Sequence, residues 1–201
     1  MTRRRRRFER PLGERRYRRM FIIAVEGEKT EPQYFEVLNG ASPIVHVRCL
    51  PGGSASAPER VLKRMREHLR TEKLLARDEA WLVVDRDRWT DEHLDQLVDW
   101  CREDTRRRGF ALSNPAFELW LLLHFEDAKG VTTKDQCVWR LRQHIPTYDK
   151  NIATGKFTHE RITTAVKRAS RRDHPACADW PRSPGVTTVY RLVKRILAAD
   201  P

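Results

Sequence analysis

Phe21-Ile22-Ile23-Ala24-Val25-Glu26-Gly27-Glu28-Lys29-Thr30-Glu31 decides the fold when read beside Trp81-Leu82-Val83-Val84-Asp85-Arg86-Asp87. Each opens with an apolar run short enough for a buried strand, and each ends in carboxylates. In open α/β sheets, ligands sit beyond the carboxyl ends of the strands. Two parallel strands would therefore deliver Glu26, Asp85 and Asp87 to one sheet edge. Asp85 and Asp87 are two apart, so on extended backbone their side chains face the same way. Carboxylates pressed to about 4 Å repel by roughly 4 kcal/mol per pair at an effective dielectric near 20. Such a cluster calls for a divalent cation, and hard oxygen ligands select Mg²⁺ or Mn²⁺. Taken singly, each acid could equally be solvated or cap the next helix; their joint placement makes the case.

The pattern outward from these runs alternates strand and helix. Met20–Glu26 reads as a first strand. A helix then starts with Thr30 as N-cap and Gln33 in the capping-box position. Pro43–Leu50 is a second strand, and Val61, Met65 and Leu69 mark the helix after it. Ala80–Val84 is a third strand, followed by a helix through Leu94, Leu97, Val98 and Cys101. Gly109–Leu112 is a fourth strand, leading through Asn114-Pro115 into a helix over Ala116–Phe125. Beyond about residue 130 only helices are expected. The fold class is α/β: a mainly parallel sheet flanked by helices, with a helical C-terminal extension. The expected division is a basic arm over 1–19, an α/β core over 20–130 and the helical extension over 131–201, packed on the core.

The chain has 201 residues and a net charge of +12, which favours an anionic partner. Ten arginines and two glutamates fall in residues 1–19, a local +8 that leaves +4 for residues 20–201. Arg3, Arg4, Arg5, Arg6 and Arg7 head this arm, which reads as disordered and as a source of phosphate contacts. A solvated tail is the plainer reading of the same residues. The four cysteines, Cys49, Cys101, Cys137 and Cys177, make no CxxC pair, and the histidines show no HExxH spacing. Zinc chemistry and a disulfide framework are thereby disfavoured, and a reducing cytoplasm is expected. No run approaches the roughly 18 apolar residues of a membrane span, and the basic N-terminus lacks the apolar segment of a secretory signal.

Other residues could join the acids. Gly27 suits a tight turn, where Lys29 and the following helix N-terminus could hold an anion. Gly27-Glu28-Lys29-Thr30 lacks the upstream glycine of a nucleotide-binding P-loop, so a nucleoside-triphosphatase is rejected. In Ser113-Asn114-Pro115-Ala116-Phe117-Glu118-Leu119-Trp120-Leu121-Leu122-Leu123-His124-Phe125 the helix is apolar nearly all round. Pro115 fits its first turn, with Asn114 or Ser113 as cap. Glu118 is the exception, and a buried carboxylate must be paired, protonated or metal-bound; a core arginine would serve equally well. Asn114 lies one turn before Glu118. His124 reads as a packed or solvated histidine rather than a ligand. Arg86 and Arg88 flank the acids and could meet phosphates or pair with those acids, and Lys150, in the polar turn Tyr148-Asp149-Lys150-Asn151, could reach the site. The six tryptophans are scattered and read mostly as packing residues.

At Val25–Glu31, at Val84-Asp85-Arg86-Asp87 and at Asn114–Phe125 the sequence resembles the RloB family, which includes AbiLii-type abortive-infection proteins. The first two blocks also resemble the Toprim core of topoisomerases, primases and OLD-type nucleases. That resemblance implies Glu26 as general acid/base or metal ligand, with Asp85 and Asp87 holding magnesium. It further implies an ATPase partner of the AAA or ABC type and a role in defence against phage. Trp89 departs from the pattern, because many Toprim domains continue there toward a glycine. The expectation is a cytoplasmic, metal-dependent nuclease acting on DNA or RNA, tRNA included, with Glu118 or Lys150 supporting the catalytic acids. The competing expectation is a non-catalytic module that binds nucleic acid or regulates the ATPase. Another Toprim activity, such as nucleotidyl transfer, comes third.

Overall fold

A computed structural model describes residues 19–39, 44–53, 57–86, 89–149 and 151–199. β1 (Arg19–Val25), α1 (Thr30–Asn39), β2 (Val45–Leu50), α2 (Pro58–Thr71), β3 (Glu79–Asp85), α3 (Asp91–Arg102) and β4 (Arg108–Asn114) alternate along the chain. There follow α4 (Phe117–Leu122), α5 (Lys134–His144), a single 3₁₀ turn (Thr154–Lys156), α6 (His159–Arg172), β5 (Val186–Thr187) and α7 (Val189–Leu197). Among the described residues they form a five-stranded sheet in the order β2-β1-β3-β4-β5. β1 to β4 are parallel, and β5 is antiparallel to β4. This is the expected α/β class.

The strands read as unbroken apolar runs because both faces of the sheet are covered. Phe21, Ile23, Val25, Trp81, Val83 and Ala111 pack on one side with α1 and with α4 to α7. Ile22, Ala24, Ala80, Leu82, Val84, Phe110 and Leu112 pack on the other with α2, α3 and Trp180. Period-two alternation thus separates two layers, each apolar. The chain leaves β1 toward β2 and returns to β3 on β1's other side. The strand order therefore reverses between β1 and β3, and a crevice opens there beyond their carboxyl ends.

Three local expectations are corrected. A strand does exist after residue 130: β5 joins the sheet where Thr187 pairs Ser113, their hydroxyls 2.8 Å apart. Two residues are too few for periodicity to register. The helix expected over Ala116–Phe125 spans only Phe117–Leu122, with Ala116 as its N-cap. Asn114 and Ser113 remain in β4, so neither caps it and Pro115 lies outside its first turn. Gln33, expected in a capping box, accepts the Ile152 amide at 3.0 Å and donates to Asn151 at 3.1 Å, tying α1 to the later chain. Of the tryptophans, Trp139 alone is largely exposed, at 67%. Among the described residues, no helix is long and apolar enough to cross a membrane.

Candidate active site

The crevice between β1 and β3 holds a cavity of 420 Å³. Five carboxylates line it: Glu26 just past β1, the exposed Glu28 in the loop that follows, Glu31 in the first turn of α1, Asp85 at the end of β3, and Glu118 in α4. Lys29 and Lys134 share the lining, and Phe117 supplies an apolar wall. Glu26, Glu31 and Glu118 are all buried.

Local bonds fix these acids. Glu26 Oε2 accepts the Asp85 backbone amide at 3.3 Å, bridging the two strand ends. Glu31 Oε1 accepts the Gly27 amide at 3.0 Å, so the first turn of α1 holds the loop that carries Glu26. A Cβ on Gly27 would stand 2.1 Å from the Glu31 carboxylate, and glycine is what lets it come so near. Tyr148 Oη donates to Glu118 Oε1 at 3.1 Å. Lys134 Nζ stands 3.9 Å from Asp85 Oδ2.

The electrostatics follow from burial and crowding. Asp85 is held well above the usual carboxylate range, first by burial and then by the charges of Glu31, Glu118 and Glu26, with Lys134 opposing. Glu31 is pushed up to about 7, again chiefly by burial and then by Glu118 and Glu26, while backbone amides pull it down. These acids share too little water and too few cations.

Gly52 closes the site from the β2 side. Its amide donates to the Gly27 carbonyl at 2.9 Å, and a Cβ there would sit 1.8 Å from the Glu26 carbonyl oxygen. Backbone cannot yield as a side-chain tip can. Gly52→Ala is expected to cost about 1–3 kcal/mol, lowering the thermal midpoint by roughly 2–4 °C for each kcal/mol in a chain of this size. A melt that matches the native chain would show that the Gly27–Gly52 contact loosens freely.

Glu26, Asp85, Glu118 and Lys29 thus meet at one cavity. Arg86 does not join them; its guanidinium pairs with Asp91 at 2.8 Å. Asn114 does not either, because its amide nitrogen donates to the Arg182 and Pro181 carbonyls at 3.1 and 3.3 Å. Asp87, Arg88, Lys150 and Arg3 to Arg7 lie outside the described residues. Glu118 meets Tyr148 at the cavity, where a core arginine was the other expectation. Three charged lining residues, Glu28, Glu31 and Lys134, were missed. Glu31 looked like an ordinary first-turn acid, although Gly27 four residues earlier was a usable signal. Lys134 had no signal, since it arrives from the start of α5 by tertiary packing alone.

The donor set is all oxygen, which suits a hard divalent cation, and its mutual repulsion is what such a cation relieves. Among the described residues, however, no three His, Cys, Asp or Glu side chains are already gathered to hold one ion. The acids fit a cation by chemistry and charge. No curated protein and no solved structure matches the chain. The model of the RloB-like protein family matches residues 21–196, and the chain belongs to that family.

Proposed function

We propose that this RloB-like protein is a metal-dependent nuclease with a Toprim-like site, hydrolysing phosphodiester bonds of DNA or RNA. The observation that carries the proposal is the convergence of Glu26, Asp85, Glu31 and Glu118 with two lysines on one cavity at the point where the strand order reverses. Glu26 and Asp85 would hold Mg²⁺ or Mn²⁺, with Asp87 two residues further on. When bound, such a cation neutralises phosphate oxygens and lowers the pKa of water. Glu26, fixed to the Asp85 amide, stands where it can also take the proton of an attacking water. Lys29 and Lys134 meet the anionic phosphate, and Tyr148 steadies Glu118 behind them. Phe117 keeps one wall dry, which strengthens each of these interactions. The setting we propose is an AbiLii-type abortive-infection module in the bacterial cytoplasm, with an AAA or ABC-type ATPase partner and phage as the trigger.

The ungathered carboxylates favour a second reading, in which the chain binds nucleic acid or regulates the ATPase without cleaving. Incubating the purified protein with plasmid, single strands and tRNA in Mg²⁺, Mn²⁺ or EDTA separates the two. Cleavage that needs the cation and disappears in Glu26→Gln supports the nuclease. Cleavage that survives Glu26→Gln and EDTA rejects it, and binding without cleavage, with the ATPase present, favours the module.

A further inference from the structure

At the other end of the sheet, the amino ends of β1, β3 and β4 surround a second hollow of 380 Å³. Its charged lining is Arg19, Arg77, Asp78, Glu79, Arg106 and Arg107. Both acids are buried and already committed. Asp78 accepts the Leu75 amide at 2.8 Å and the Met20 amide at 3.0 Å. Glu79 is shared by Arg19 and by Arg195, whose guanidinium approaches at 2.7 and 2.9 Å, and it accepts the Trp81 indole N–H at 3.0 Å. Arg107 pairs with Asp104 at 2.7 Å.

Arg77 and Arg106 are exposed and carry no ion pair among the described residues. With Arg195 and Asp104 included, five guanidiniums face three carboxylates, a surplus of two positive charges. Buried Glu79 pins Arg19 and Arg195, so part of this array is ordered before any ligand arrives, and little conformational freedom remains to be lost on binding. Guanidinium groups also fit phosphate oxygens in pairs, which ammonium groups do not.

We propose that this hollow is a phosphate-binding site for the backbone of a nucleic acid, separate from the carboxylate cavity. Residues 1–18, which precede Arg19 in the sequence, hold nine arginines and two glutamates. β1 has seven residues, which sets the two cavities about 20 Å apart at about 3.3 Å per residue. Both faces of the sheet are covered by helices, so the hollow meets a phosphate chain by itself and not jointly with the carboxylate cavity. The inference rests on the nucleic-acid reading of the partner and not on cleavage.

The test is the salt dependence of binding, by fluorescence anisotropy of a labelled single strand and a labelled duplex of about 20 nucleotides. The full chain, Arg77→Gln with Arg106→Gln, and the chain without residues 2–18 are compared. Two lost contacts should reduce the slope of log K against log salt by roughly 1.5. Affinity near 0.1 M salt should fall about tenfold, on the order of 1.4 kcal/mol, with or without residues 2–18. Both arginines are exposed and carry no ion pair among the described residues, so the double variant should melt as the native chain does. A double variant with the native slope overturns the hollow while leaving the nucleic-acid reading intact. A native chain that binds neither oligonucleotide removes both, as does one that binds only phosphatidylglycerol vesicles.

Discussion

Asp85→Asn is expected to lower cation-dependent cleavage by about 10²–10³-fold and, in the same molecule, to raise its thermal midpoint above neutral pH. The first effect follows from the several kcal/mol that a bound cation contributes to phosphoryl chemistry, at about 1.4 kcal/mol for each factor of ten. The second follows from the crowding of Asp85 by Glu31, Glu118 and Glu26. Its folded pKa lies above the unfolded value of 3.8, so the folded state binds the proton more tightly. The associated stability is complete below the unfolded pKa and is lost as pH rises through the folded one. Asparagine stays neutral throughout and removes that loss. The pair with Lys134, at 3.9 Å and with the lysine largely exposed, offsets this by less than about 1 kcal/mol.

Glu31 carries a parallel penalty, accruing from its ordinary value of 4.5 up to about 7. Divalent cation should therefore raise the midpoint of the native chain more at pH 8 than at pH 5, and raise that of Asp85→Asn less. Stability gained at the expense of activity is what a site strained by its own charges should show. A variant that melts earlier than the native chain at pH 8 without cation would mean that the repulsion is relieved in some other way.

The second large effect lies away from the cavity. His124 is expected to make the fold acid-sensitive, and His124→Phe should be the less stable protein at pH 8 yet equal or exceed the native chain near pH 4.5. His124 is buried beside Tyr34, Trp120, Phe125 and Phe157, with ring centroids 4.9 to 6.5 Å away. Its Nδ1 donates to the Trp120 carbonyl at 3.0 Å, which leaves Nε2 to accept the Tyr34 hydroxyl at 3.1 Å. That arrangement needs the neutral ring.

Burial, aided by the charges of Arg168 and Arg161, lowers the pKa from 6.5 to about 3. The unfolded chain then binds the extra proton between these values. Stability from His124 is full above pH 6.5 and falls as pH drops toward 3, by about 1.4 kcal/mol per unit. Two units below 6.5 the native chain has lost roughly 2.7 kcal/mol from this group. Phenylalanine keeps the aromatic packing but orphans the Tyr34 hydroxyl, at about 1–3 kcal/mol. Urea titrations of both proteins at the two pH values give the comparison, and the Glu31 slope, which runs the opposite way, cancels in the difference. Parallel curves at both pH values would show that His124 titrates normally.

The sequence by itself determined the α/β alternation, because strands covered on both faces must be apolar throughout and these runs are too short for anything else. It also placed Glu26 and Asp85 at strand ends and marked Glu118 as the acid that an apolar helix would have to explain. Local pattern reaches no further than local structure. Whether strand ends become neighbours depends on strand order, and the reversal between β1 and β3 appears only once the sheet is assembled. The same holds for Lys134, delivered from α5, for Glu31, which turns back onto Gly27, and for β5, whose two residues become a strand only because β4 offers them an edge. Arg86 and Asn114 lie near the acids in sequence, but Asp91 and the Pro181 and Arg182 carbonyls claim them first. Tertiary packing decided which polar groups were left facing the cavity, since each side chain takes the partner that desolvates it at least cost.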